Sequence, residues 1–112
     1  MASKYRNRKV TFNGQTYDSK KELLWHQRYV VQQMASDPAQ RVVEVRRQVQ
    51  FILIPQQEGE RQAVYTADFV VDYADGRQEV VDVKSPPTRR LPDYVLRRKL
   101  MLHVHGIRIK EV

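Results

Sequence analysis

Between Arg41 and Ile54 apolar and polar residues alternate. Val43, Val45, Val49, Phe51 and Leu53 share one parity, and Glu44, Arg46, Gln48 and Gln50 share the other. A period of two cannot lie on one helix face, so the stretch predicts a long, half-buried β-strand. A lone strand is not stable, and two further strand-like runs follow: Val64 to Tyr73 and Gln78 to Lys84. Ala74-Asp75-Gly76 between them is turn chemistry, so the two runs read as a hairpin. Three strands in sequence are therefore the frame of the chain.

Helices flank that frame. Ser19-Lys20-Lys21-Glu22 reads as a capping box, a serine whose side chain accepts from the backbone N–H three residues on. It predicts a helix to about Ala35, with Leu23, Val30 and Met34 as its apolar stripe and Asp37-Pro38 as its stop. Pro92-Asp93 predicts a second helix to about Val104, with Leu96, Leu100 and Val104 as its stripe and Gly106 as its C-cap. Before the first helix, Lys9 to Tyr17 reads as a small hairpin around Asn13-Gly14. Ile107 to Val112 reads as a final strand. The order predicts an α/β (or α+β) domain with a mixed central sheet flanked by two helices. At 112 residues this is one domain, with residues 1–9 as a flexible basic arm.

Composition narrows the chemistry. The absence of cysteine excludes disulfides, thiolate zinc sites, iron–sulfur clusters and cysteine nucleophiles. Four scattered glycines exclude a dinucleotide fingerprint. No apolar run approaches the length of a membrane span, and Met1 to Arg6 lacks the apolar core of a secretory signal. The expected setting is the cytoplasm. The formal net charge of +7 favours a polyanionic partner. The charge is uneven. Lys4, Arg6, Arg8 and Lys9 stand without an acid in the first twelve residues. Arg89, Arg90, Arg97, Arg98, Lys99, Arg108 and Lys110 face only Asp93 in residues 88–110. Between them, residues 58–82 hold seven acids against Arg61 and Arg77. An acidic centre between basic arms suits a nucleic-acid partner only if something cationic sits on the acids.

Two strands carry the informative residues. Asp68 interrupts Tyr65-Thr66-Ala67-Asp68-Phe69-Val70-Val71, and Asp82 interrupts Val80-Val81-Asp82-Val83-Lys84. A carboxylate among valines costs free energy unless it is paired or holds a metal. The plain alternative is an ion pair of Asp68 or Asp82 with Lys84. The functional reading is an oxygen-ligated Mg²⁺ or Mn²⁺ on Asp68 and Asp82 with Lys84 beside it, a set suited to phosphodiester hydrolysis. It needs both acids on one face. Direct pairing of Asp68 with Asp82 puts Tyr73 opposite Arg77 and leaves Ala74-Asp75-Gly76 as a three-residue loop with Gly76 at positive φ. A two-residue Asp75-Gly76 loop would put the acids on opposite faces.

Asp68 followed at a distance by Asp82-Val83-Lys84 resembles the (P)D…(D/E)-x-K signature of the restriction-endonuclease-like nuclease superfamily, with Ala67 where a proline is usual. Phe12-Asn13-Gly14, Tyr17 to Glu22, Phe51 to Pro55, Tyr65 to Phe69 and Gly106-Ile107 extend the resemblance to small phage- and prophage-encoded endodeoxyribonucleases, with Holliday-junction resolvases as functional analogues. The resemblance implies a restriction-endonuclease-like core and a Mg²⁺- or Mn²⁺-dependent DNA endonuclease acting on branched or recombination-intermediate DNA as a homodimer. The alternatives are a nicking or end-processing nuclease and a catalytically silent DNA-binding module. It implies Asp68, Asp82 and Glu22 as metal ligands and catalytic groups, with Lys84 as the fourth catalytic residue. Glu22 also fits the helix cap. A glutamine near such sites points to Gln50. Lys4, Arg6, Arg8, Lys9, Arg89, Arg90, Arg97, Arg98 and Lys99 are the expected nucleic-acid contacts.

Overall fold

The structure, a computed structural model, describes residues 8–112. The expected contacts Lys4 and Arg6 lie outside them. Strands β1 (Val10–Phe12) and β2 (Gln15–Tyr17) form a hairpin whose turn residues Asn13 and Gly14 both have positive φ, 50° and 75°. That is the requirement of a type I′ turn. Helix α1 (Lys20–Val31) follows, capped by Ser19, whose side chain accepts from the Glu22 N–H. A short 3₁₀ turn, Gln32–Met34, extends it. Then β3 (Val42–Ile54), β4 (Ala63–Tyr73) and β5 (Gln78–Asp82) run as an antiparallel meander. Helix α2 (Pro92–Leu100) continues as a π turn, Met101–His105, ended by Gly106 at φ 68°. It returns the chain to β6 (Lys110–Glu111), parallel to β5. A parallel partner requires such a crossover.

The sheet order is β3-β4-β5-β6, a four-strand mixed sheet with two helices: an α+β domain. Along β4 and β5 successive side chains point to opposite faces. Phe69, Val71 and Val81 pack with Tyr29 of α1, and Val70 and Val80 pack with Tyr94 and Met101 from the α2 segment. The two helices thus cover opposite faces. No helix among the described residues is long and apolar enough to cross a membrane.

Each helix buries only part of its expected stripe: Leu23 of α1 and Leu100 of α2 turn inward, and the rest does not. On α1 the buried side chains are Glu22, Leu23 and Tyr29, while Val30 is exposed and Met34 is 88% exposed. The buried stripe is aromatic and polar because Phe69 presents a ring to it. Tyr29 meets Phe69 edge-on at 5.6 Å, and His26 stacks on it at 5.7 Å. His26 is satisfied by the Tyr17 hydroxyl at 2.6 Å, so it can be half-buried; burial and the Arg47 charge lower its pKa. On α2 the buried residues are Tyr94 and, in the following π turn, Met101, whereas Leu96 and Val104 are exposed. Val43 likewise faces out. The β3–β4 register shifts between Val42 and Glu44, and a one-residue slip turns Val42 in and Val43 out.

Candidate active site

The β4–β5 hairpin positions the two aspartates. Its ladder pairs Phe69 with Val81, Val70 with Val80, Val71 with Glu79 and Asp72 with Gln78. The Tyr73 N–H donates to the Arg77 carbonyl at 2.9 Å, and the Gly76 N–H donates to the Tyr73 carbonyl at 3.0 Å. Gly76 has φ 93°. This is the expected three-residue loop; the ladder ends at Phe69 and Val81, one residue short of Asp68 and Asp82. Asp72 accepts from Gln78 at 2.8 Å and pairs with Arg46 at 3.8 Å.

Asp82 is 2% exposed. One of its oxygens accepts from the Tyr65 hydroxyl at 2.8 Å, and the other lies 3.7 Å from the Lys84 Nζ. Burial and then the Asp68 charge push its pKa up to about 7, while Lys84 pulls the other way. Lys84 is fixed at both ends. Its N–H donates to the Val112 carbonyl at 3.1 Å, and its ammonium lies 5.0 Å from the centre of the Tyr94 ring. The Val112 N–H returns a bond to the Asp82 carbonyl at 3.0 Å, so the parallel edge strand holds the Asp82-Val83-Lys84 backbone. Asp68 accepts from the Val83 N–H at 2.8 Å. It therefore locks against the same segment.

Helix α1 brings the third acid. Glu22 is buried; one oxygen accepts from the Asp18 N–H at 3.1 Å. The other accepts from Gln48 Nε2 at 3.1 Å and lies 3.4 Å from the Arg47 guanidinium. Cap and cleft are thus served by different oxygens of one carboxylate. Burial raises the Glu22 pKa, and the Asp68 charge adds to it. Carboxylate oxygens of Asp18, Glu22 and Asp68 lie within 4.8 Å of one another. Asp82 is not one of that trio; Asp68 links the two, since its charge also acts on Asp82. The donor set is all oxygen, the chemistry preferred by Mg²⁺ and Mn²⁺. The raised pKa values of Glu22 and Asp82 mark negative charge that the local side chains leave under-compensated. The residues fit a hard divalent cation.

Three site residues were not foreseen. Asp18 precedes the Ser19 cap, and its place four residues before Glu22 was the available signal. Gln48, not Gln50, is the glutamine that reaches the acids, bonding Glu22 and, at 3.4 Å, Asp68. Tyr65 is the buried donor to Asp82. Tyr65→Phe should lower stability by about 1.5–3 kcal/mol at pH 8, where Asp82 is charged, and by less at pH 5, where the protonated acid needs that donor less. Paired thermal melts check this.

The family model described as "Protein of unknown function (DUF1064)" matches residues 2–110. The chain belongs to the DUF1064 family. No curated protein matches it. In this DUF1064 chain the expected phosphate contacts fall into two groups. Arg8, Lys9, Arg90 and Lys99 are exposed, and Lys9 lies 3.7 Å from Asp18. Arg89 is half-buried in the Thr88–Arg90 turn. Arg97 and Arg98 already have internal partners. Arg97 Nε donates to the Val64 carbonyl at 3.1 Å and its guanidinium pairs with Asp93 at 3.3 Å; Arg98 pairs with Glu111 at 3.5 Å. A groove lined by Trp25, Arg28, Tyr73 and Arg77 lies away from Asp18, Glu22, Asp68 and Asp82.

Proposed function

We propose that this DUF1064 chain is a metal-dependent DNA endonuclease with a restriction-endonuclease-like core, cutting branched or recombination-intermediate DNA. The observation that carries the reading is the buried Asp82 with the Lys84 ammonium at 3.7 Å, on a β4–β5 ladder that ends one residue short of Asp68 and Asp82. Glu22 joins from α1. Asp68, Asp82 and Glu22 would hold Mg²⁺ or Mn²⁺, which when bound lowers the pKa of a water and stabilises charge on a phosphoryl group.

The chain's own groups do the rest. Lys84 donates a hydrogen bond to the attacking water or to the phosphoryl oxygen on which charge develops. The water oxygen bonds to phosphorus as its proton passes to solvent, the phosphorus–oxygen bond to the leaving strand breaks, and the departing oxygen takes a proton from solvent. Tyr65 holds Asp82 with one oxygen turned towards Lys84. A four-way junction needs two symmetric cuts and each chain offers one site, so the active form is a homodimer.

The test is cleavage of linear duplex, nicked duplex, flap and four-way junction with Mg²⁺, Mn²⁺ or EDTA. Cutting that requires the cation and prefers the junction is the expected result. Binding without cutting would leave a silent DNA-binding module. Affinity should also fall steeply with salt. Five neutralised phosphates give a log–log slope of about −4.5 on duplex DNA. Arg97→Ala and Arg98→Ala should each change that slope by less than the roughly 0.9 expected of a free contact, because both guanidinium groups are internally paired.

A further inference from the structure

Gln48 lies inside a 13-residue strand yet has φ 52°, in the left-handed region. Among the described residues the other non-glycine with positive φ is Asn13, which sits in a hairpin turn that calls for it. No inserted residue accounts for the distortion. The register is the same on both sides of Gln48, with Arg47 opposite Phe69 and Val49 opposite Ala67. A left-handed glutamine is strained and persists only where its surroundings hold it.

What holds it is two carboxylates from two different elements. Gln48 Nε2 donates to Glu22 of α1 at 3.1 Å and to Asp68 of β4 at 3.4 Å. A carboxamide carries two N–H groups, one for each acid. Glu22 and Asp68 would otherwise repel each other, since both lie in the same acidic trio. The strain at Gln48 thus aims a neutral double donor between them.

We propose that Gln48 is a positioning residue for the divalent cation: its carboxamide fixes the spacing and orientation of Glu22 and Asp68 so that they are set for the ion before it arrives. The inference rests on the metal-site reading above and adds a residue to it. It acts through the two acids, so its signature is in the cation requirement more than in the maximal rate.

Gln48→Gly separates the roles, because glycine adopts the same φ without strain and removes the carboxamide. Mn²⁺ binding is followed in DNA-free protein by calorimetric titration and by the Mn²⁺-induced rise in melting temperature. Half-saturation should rise about tenfold or more, the scale seen when groups orienting metal ligands are lost. The Mn²⁺ needed for half-maximal cleavage should rise in parallel, while the rate at saturating Mn²⁺ falls much less. Gln48→Asn, which tolerates the left-handed region but is one methylene shorter, should behave likewise and serves if the glycine variant does not fold. Wild-type Mn²⁺ half-saturation with a lowered melting temperature would show a purely structural kink and overturn the inference alone. A wild-type chain that takes up no Mn²⁺ would overturn the metal site, and this inference with it.

Discussion

Asp82→Asn is expected to abolish DNA cleavage, by roughly 10²–10³-fold or more, while leaving a folded, DNA-binding chain. Asparagine keeps the shape of the side chain and leaves an oxygen for the Tyr65 hydroxyl, which lies 2.8 Å from Asp82 in the native chain. It removes the charge that a cation needs. It also removes a buried carboxylate whose ionised form is disfavoured by burial and by Asp68. In EDTA at pH 8 the variant should therefore melt no lower than wild type. Lys84→Ala should lose about 10²-fold in rate or more, since it deletes the ammonium 3.7 Å from Asp82. Single-turnover cleavage of a labelled junction measures both. Wild-type rates in Asp82→Asn would remove Asp82 from the mechanism.

Without divalent cations the chain should become less stable as pH rises. Asp82 has a folded pKa of about 7 against 3.8 for the free side chain. The native state then holds a proton that the unfolded state has released. Its stabilising contribution is complete below about pH 4 and is lost as pH rises through 7. The loss is on the order of 4 kcal/mol, and Glu22, shifted in the same direction, adds to it. A saturating divalent cation should reverse the trend, because it binds the ionised acids. The cation-induced rise in melting temperature should be small at pH 5.5 and large at pH 8. Melts in EDTA and in Mg²⁺ across that range decide it. A cation-induced shift of equal size at both pH values would contradict the ligand set.

The β4–β5 hairpin shows how far a local pattern reaches. Requiring Asp68 and Asp82 to share a face selected the three-residue loop, and the ladder has that register. Glu22 was legible as the acid of the helix cap; in the fold one of its oxygens accepts from the Asp18 N–H and the other from Gln48. Gln48 was not legible, because alternation assigns a glutamine to the polar face of β3 and carries no sign of a left-handed backbone. The α2 arginines looked free because their partners, Glu111 and the Val64 carbonyl, are distant in sequence or belong to the backbone.

The sequence by itself determined the elements, their order and the turns, because periodicity, capping and glycine conformations act over a few residues. It also determined that Asp68 and Asp82 interrupt apolar strands; the second strand ends at Asp82, and Lys84, read as its last residue, lies just beyond it. The tertiary structure decided which helix faces are buried. Glu22 and His26 could be placed inward on α1 only because Gln48, Arg47 and Tyr17 arrive from other elements to satisfy them. It also decided the full membership of the acidic site. Asp18, Gln48 and Tyr65 join through contacts between separate elements, and no local rule encodes the free energy of a buried polar group whose partner lies far along the chain.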